Sequence, residues 1–458
     1  MMSFRVHRSL PIIFGTIPLL VSPSLHAQSP ENPVPYETAS PLVRVAIMRF
    51  ETAKEIWVRA DPGGYLSSSD GAFCDNGSNV WKIRCQGENG LSVRDERGKP
   101  FAVGREEILC LAGSNAETVV GVRLPQGNWA YYRGALEIGV AEGHLRVISR
   151  VPLEAYLRGV VSSEMGIAPP EALKAQAVAA RTYALYSLGK WAKAGYDLRD
   201  TPDSQVYRGI AGERTDTDAA IAATAGQILL WNGKPAATLF CADCGGTTTP
   251  PTTPETFPPT TPDEDAHGTA DKPSPPAWTL RYPPEQLAAI LNKSDRARGS
   301  GTLDSVETIE TDVSGRVRRL RLTWKEEGER ERGGEGEKKS NPVPYSLLPV
   351  PYPLLTREIT GNMLRSLLGL EKLKSTLFTV KRETSGEFVI MGRGYGHGRG
   401  MCQTGAMALA GKGFDYRALL NRYYAGGVPA QIIYSEGDVA PTKFPTAVSV
   451  LPCPKATP

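Results

Sequence analysis

After its first few dozen residues the chain has no long apolar run, and no later stretch approaches the length a membrane crossing needs. It carries little net charge, +3 at neutral pH, and shows no Lys/Arg stripe interleaved with aromatics along the sequence, so nucleic-acid binding finds no support. An anionic polymer remains compatible. No cysteine follows the N-terminal apolar run where a bacterial lipid anchor would need one, and no Gly-Lys-Ser/Thr closes a phosphate loop. Repeats of the kind that bind cell walls are absent as well.

What is present at the start is an export signal. Arg5, His7 and Arg8 precede an apolar run from Leu10 to Val21, followed by a Pro/Ser break and Leu25-His26-Ala27, which predicts a signal peptide over residues 1–27. The expected location is therefore outside the cytoplasm, in the periplasm or cell wall, with no membrane span in the mature chain. The hydrophobic fraction of 41% is ordinary for a globular protein that buries a core. Seven cysteines in an exported chain can form disulfides, but the odd number leaves one over. Cys74 and Cys85 flank the turn-like Asp75-Asn76-Gly77-Ser78, so a local bridge is expected between them.

Patterning predicts an α+β protein: a β-rich N-terminal lobe (43–150) and a mixed helix/strand catalytic core, with disordered insertions. Val43, Val45 and Ile47 alternate with Arg44 and Ala46, and Trp129–Ile138 and Leu145–Ile148 sit between glycine-containing turns. At Leu153, Tyr156, Leu157, Val160 and Val161 the apolar period becomes helical, with Glu154 and Arg158 expected to pair on the other face. A second helix starts at Pro169-Pro170-Glu171 and runs through an Ala-rich body to Leu188, with Gly195 as a stop. A third covers Asp216 to Ala225, and a hairpin follows at Gln227–Trp231, Asn232-Gly233 and Ala236–Cys241. The core therefore begins as 151–246 and resumes at 277–324 and 356–428. Thr247 to Thr261, inside an insertion at 247–276, and Lys325 to Ser340, inside one at 325–355, lack the residues to bury a core and read as solvated. Ordered patterning resumes at Ile359. Residues 438–458 read as a loose tail.

Four stretches carry a resemblance. VPLEAYLRGVVSSEMGIAPPEALKAQAVAARTY (151–183), DTPDSQVY (200–207), FCADCGG (240–246) and GRGYGHGRGMCQTGAMALAGKGFDYRALLNRYY (392–424) are similar to the stage II sporulation protein D family, the SpoIID/LytB-like domain. ITGNMLRSLLGLEKLKSTLF (359–378) and Tyr132-Arg133-Gly134 extend it over most of 43–428. The resemblance implies a peptidoglycan lytic transglycosylase acting on glycan strands, or, in the LytB branch, a protein that assists a cell-wall amidase. It also implies that Glu164, in the SEM-like motif, is the single catalytic acid.

The residues agree with that role through geometry. Glu164 lies eleven residues after Leu153, about three helical turns, so a continuous helix projects it from the apolar face. Desolvation there raises the pKa, and a general acid near neutral pH needs a value of roughly 6–7. Hydrolytic glycosidases use two carboxyls. A lytic transglycosylase needs one, because the sugar's C6 hydroxyl attacks the anomeric carbon. The bland alternative is a helix-end carboxylate paired with an Arg.

Further candidates for substrate binding are Arg181 on the second helix, Gln205 and Tyr207 after a turn, and His397 and Gln403 around the Gly-alternating loop at 392–400. Each also has a plain packing reading. Alternating glycine admits either a ligand or a second backbone. Cys402 stands where family members usually carry Ser. No cofactor is needed for the chemistry, but some family members bind a structural zinc, and Cys241, Cys244 and His267 are candidate ligands. A disulfide between Cys241 and Cys244 is the alternative.

Overall fold

The computed structural model describes residues 34–38, 42–61, 64–68, 74–75, 78–105, 107–111, 119–249, 257, 261–263, 268–269, 272–273, 278–325 and 354–434. The expected signal peptide, the body of the charged insertion, the C-terminal tail and His267 lie outside these residues.

The chain is an α+β protein, as expected. Its first half builds two sheets face to face. One has the strand order Ala130–Arg133, Val119–Arg123, Glu55–Ala60, Val80–Gln86, Gly90–Asp95, Pro100–Arg105, all antiparallel. The other runs Leu198–Arg199, Leu42–Ala46, His144–Pro152, Ala135–Ala141, Glu107–Leu111, Tyr65–Ser68, Cys74–Asp75. Alternation sets the packing: Ile56, Val58, Trp81, Ile83, Leu91 and Val93 point inward from the first sheet against Val43, Val45, Leu136, Ile138 and Val147 of the second. Cys74 and Cys85 therefore sit on strands of different sheets, and Cys85 is a free thiol, so the expected bridge between them is not formed.

Folding also overturns the absence of a basic aromatic stripe. Adjacent strands bring Trp57, Lys82, Arg123 and Trp129 side by side on the outer face of the first sheet, an assembly invisible along the sequence.

Strand His144–Pro152 runs straight into helix α1 (Leu153–Met165), and Pro170 opens helix α2 (Pro170–Tyr186). The alanines of α2 are buried nearly throughout, which lets neighbours approach it from several sides. It packs against α1, α3 (Thr215–Ala223), α6 (Gln403–Gly411) and α7 (Tyr416–Tyr423). Past Gly226, Gln227–Trp231 turns at Asn232 and Gly233, both with positive φ, as a two-residue hairpin requires. The return arm is only Lys234–Pro235. Phe240–Cys241, expected on that arm, pairs instead in parallel with Met401–Cys402. Gln227–Trp231 also pairs with Val428–Tyr434, whose other edge takes Val34–Thr38 in parallel.

A second, smaller core lies within residues 278–390. It is formed by α4 (Pro284–Leu291), α5 (Gly361–Leu368) and strands that include Thr302–Thr311, Val317–Lys325 and Leu354–Thr360. The described strand begins at Leu354, ahead of the expected Ile359, and its Leu355 pairs with buried Trp324. The Thr/Pro insertion is not wholly solvated either. Phe257 is buried between Trp231 and Tyr424, with ring centroids at 5.0 and 5.9 Å, and Thr248 and Thr249 are buried. A single aromatic in a Thr/Pro tract is enough to anchor it.

Candidate active site around Glu164

α1 persists to Met165, so Glu164 does stand in its last turn, partly buried. What holds it is the segment after Asp200. Gly159 leaves room for this segment to lie along the helix: a Cβ there would meet the Tyr207 ring at 2.7 Å and the Gly209 carbonyl at 2.9 Å. Ser162 fixes the far end by donating to the Gly212 carbonyl, and the backbone N–H of Val206 donates to Glu164 Oε1 at 2.5 Å. Burial pushes the Glu164 carboxyl up to about 7, against the opposing pull of the Val206 N–H and the Arg208 charge. No Arg pairs with it directly among the described ion pairs, which removes the bland helix-end reading. Such a carboxyl keeps its proton much closer to neutral pH than an ordinary glutamate does.

Two residues near it were not anticipated. Arg208 is exposed and close enough to act on Glu164 by its charge. Asp200 is held by the Met48 N–H at 3.0 Å, and burial raises its pKa. Burial first, and the charges of Glu164 and Asp200 after it, hold the pKa of the Tyr156 hydroxyl well above its ordinary value. The only sequence signal for them was their place in and after the DTPDSQVY element.

The other expected substrate contacts are placed elsewhere. Arg181 is fully buried and grips Glu154, not Glu164: Nε and Nη2 each lie 2.7 Å from a Glu154 carboxylate oxygen, and the same guanidinium reaches the carbonyls of Gln227 and Ile221. It clamps α1 to α2 from the opposite end of α1. The expected Glu154–Arg158 pair is accordingly not made; Arg158 turns to Glu213 and Asp218, both at 2.9 Å. Gln205 is fully buried, accepting from Tyr156 and donating to the Ala180 carbonyl, and Tyr207 is packed against Tyr132 and Tyr156. Neither side chain is exposed at the surface. The turn before them was legible, but not that both side chains point inward from it.

In the glycine-alternating loop Gly394 and Gly396 lie close to the segment 241–245. Gly394, Gly396, Gly398 and Gly400 all have positive φ, and Cβ atoms on Gly394 and Gly396 would press on the Asp243 carbonyl and the Cys241 side chain. His397 Nδ1 accepts the Arg399 N–H at 3.0 Å. Crowding in the loop and the guanidiniums of Arg399, Arg365 and Arg316 hold its pKa below the usual value, so it is neutral at pH 7. The residue as a whole is exposed. Its neighbours are not those of Glu164. Gln403 is buried at the start of α6, donating to Gln176 of α2 at 3.3 Å.

The cysteines converge, with a different third party. Ligand atoms of Cys244, Asp263 and Cys402 lie within 4.8 Å of one another, all buried. Cys402 Sγ accepts the N–H groups of Cys244 and Gly405 at 3.2 and 3.4 Å, and Tyr423 donates to Asp263 at 2.7 Å. Cys241 adjoins the group through its strand pairing with Cys402 but lies outside the set of mutually close ligand atoms. The swap of Ser for Cys402 thus places a thiol inside a protein cluster rather than in a substrate cleft.

An α+β scaffold that presents a partly buried carboxyl of raised proton affinity at a helix end defines a class of site suited to acid–base chemistry. A family model described as stage II sporulation protein matches residues 141–231, the stretch containing α1, Glu164, α2 and α3. The chain belongs to the SpoIID family. It is 30% identical over 310 residues to an uncharacterized protein of Brachyspira hyodysenteriae, covering 65% of this chain and 72% of that one. It is 32% identical over 296 residues to an amidase enhancer of Bacillus subtilis, covering 59% of this chain but 39% of the enhancer, so well over half of that relative has no counterpart here. It is 28% identical over 300 residues to the stage II sporulation protein D of Bacillus subtilis, covering 61% and 74%. The function is related to the cell wall. Among the described residues, no helix is long and apolar enough to cross a membrane.

Proposed function

We propose that the protein is a peptidoglycan lytic transglycosylase that cleaves the β-1,4 bond between N-acetylmuramic acid and N-acetylglucosamine, with Glu164 as the acid and then the base. The observation that carries this is the Glu164 carboxyl held by one backbone N–H and pushed up to about 7 by burial. Protonated Glu164 gives its proton to the glycosidic oxygen as the C1–O bond breaks. The resulting carboxylate then takes the proton of the C6 hydroxyl as that oxygen bonds to C1, leaving a 1,6-anhydro end and a neutral Glu164. Proton and bond counts close without water. Export to the periplasm or wall is part of the same reading.

A second reading, a non-catalytic enhancer of a cell-wall amidase, is favoured by the likeness to the Bacillus subtilis amidase enhancer. Incubation of the protein and of Glu164→Gln with glycan strands lacking stem peptides separates the two. The first reading expects 1,6-anhydro ends by mass spectrometry from the native protein alone. Binding without products would leave the enhancer reading.

The Cys244, Asp263 and Cys402 cluster fits a structural zinc in donor type and mutual spacing. Among the described residues those three would hold the ion; of the expected ligands Cys244 is in the group, Cys241 stands outside it, and His267 lies outside the described residues. It would tie the Phe240–Cys241 and Met401–Cys402 strands to the segment around Asp263 and supply no step of the reaction.

A further inference from the structure

The outer face of the six-stranded sheet, far along the chain from Glu164, carries a ladder in which cations and aromatic rings alternate. Lys82 Nζ lies 5.5 Å from the Trp57 ring centroid, and Arg123 lies 5.5 Å from the same ring. Arg123 is also 5.1 Å from the Trp129 ring, which Arg59 approaches at 5.7 Å. Tyr131 stacks beside Trp129 at 6.5 Å, and its hydroxyl meets Arg59. Strand register makes this order: Arg123, Trp57 and Lys82 are direct cross-strand partners, and Arg59 and Tyr131 both face Gly121. Gly121 is part of the device. A Cβ there would lie 2.8 Å from Arg59, 3.0 Å from Tyr131 and 3.1 Å from Trp129, so only glycine lets the three side chains close over the strand.

The ladder is also charged in one sense. Arg84 and Arg94 extend its cationic side, and the carboxylate facing it is Glu55, which is engaged by Lys82 and Arg84. Among the described residues no carboxylate pairs with Arg59 or Arg123. Cation–π contacts of this kind stabilise the fold only modestly, while they hold long side chains in one rotamer. Cations fixed in this way lose little entropy on meeting an anion, which is a property of a binding surface.

We propose that this face binds an anionic glycan strand, namely a peptidoglycan strand freed of its stem peptides, which then carries a lactyl carboxylate on every second sugar. The cations would pair with the strand carboxylates, and the aromatic ring faces left open between them would take the C–H faces of the pyranose rings. The surface would hold the polymer while another site acts on it. The inference rests on the cell-wall setting of the family and does not require Glu164 to be catalytic.

The test is equilibrium binding of the full chain in the Glu164→Gln background, so that cleavage plays no part. The probe is a set of glycan strands freed of stem peptides. Binding is expected to weaken with salt, to fall about fivefold for each of Arg59→Gln and Arg123→Gln, and to fall similarly when the strand carboxylates are converted to methylamides. Arg123→Lys should retain most of the affinity, which separates charge from folding. Equal binding by native and variant faces, or undiminished binding of the amidated strands, would overturn the proposal. So would single-stranded DNA binding more tightly than the glycan, since a basic aromatic face also suits nucleic acid. The 1,6-anhydro assay reads whether Glu164 cleaves, and the titration in the Glu164→Gln background reads whether this face binds, so the two readings fail separately.

Discussion

Replacing Glu164 by Gln should make the protein more stable in base and leave it nearly unchanged in acid. The native carboxyl titrates at about 7 in the fold, against an ordinary value of 4.5. A carboxyl with a raised folded pKa favours the fold in its protonated form, and that advantage is complete below 4.5. It is lost as pH rises through 7, because the unfolded chain ionises first. At one pKa unit per 1.36 kcal/mol, the carboxylate costs the fold about 3 kcal/mol at pH 8.5 and only about 0.4 kcal/mol at pH 4.5. Glutamine is close to isosteric, never ionises, and its amide oxygen can still accept the Val206 N–H. The variant should therefore melt roughly 5 °C above the native protein at pH 8.5, with the difference shrinking nearly to zero at pH 4.5. Differential scanning calorimetry of both proteins across that range is the assay. A difference that stays constant with pH, or grows toward acid, would refute the claim that burial sets the proton affinity of Glu164, whatever the catalytic outcome.

The same titration predicts the rate profile: release of anhydro products should be full below pH 7 and decline above it as the acid form is lost, a profile read from initial rates at fixed substrate. Arg181→Ala should cost about 3–5 kcal/mol by leaving Glu154 without its buried partner, measured by denaturant unfolding, while the protein that remains folded keeps its pH profile. Gly159→Ala should destabilise by about 1–3 kcal/mol and shift the Tyr207 ring, visible as lost ring contacts in the aromatic NMR region. For the cysteine cluster, elemental analysis of the purified chain should find close to one zinc, and Cys402→Ala should lower that content without a new disulfide; a metal-free, fully folded native chain would dismiss the metal.

Local patterns carried well into three dimensions where a residue's fate depends on its own helix. The spacing from Leu153 to Glu164 sufficed to place the carboxyl on the inward face, because α1 runs unbroken between them. It failed where the partner comes from another element. Arg181 belongs to the right helix, but its charge is answered by Glu154, twenty-seven residues back. The cysteine group needed Asp263 and Cys402, the latter 158 residues from Cys244, and nothing local marks either as a neighbour. Gln205 and Tyr207 were misjudged because polar groups after a turn face solvent more often than they fill a three-tyrosine stack. The ladder on the first sheet was missed for the same reason: its residues come from four strands, and only register aligns them.

The sheet that joins Val34–Thr38, Val428–Tyr434 and Gln227–Trp231 has a consequence for the timing of folding. Its central strand is the last described element of the chain, and it pairs with one of the first. A chain emerging from its N-terminus cannot complete this sheet until nearly all of it has been delivered, and such distant pairing is slow to form. Until then the Gln227–Trp231 edge beside α2 stays unpaired, and α2 packs on an unfinished sheet.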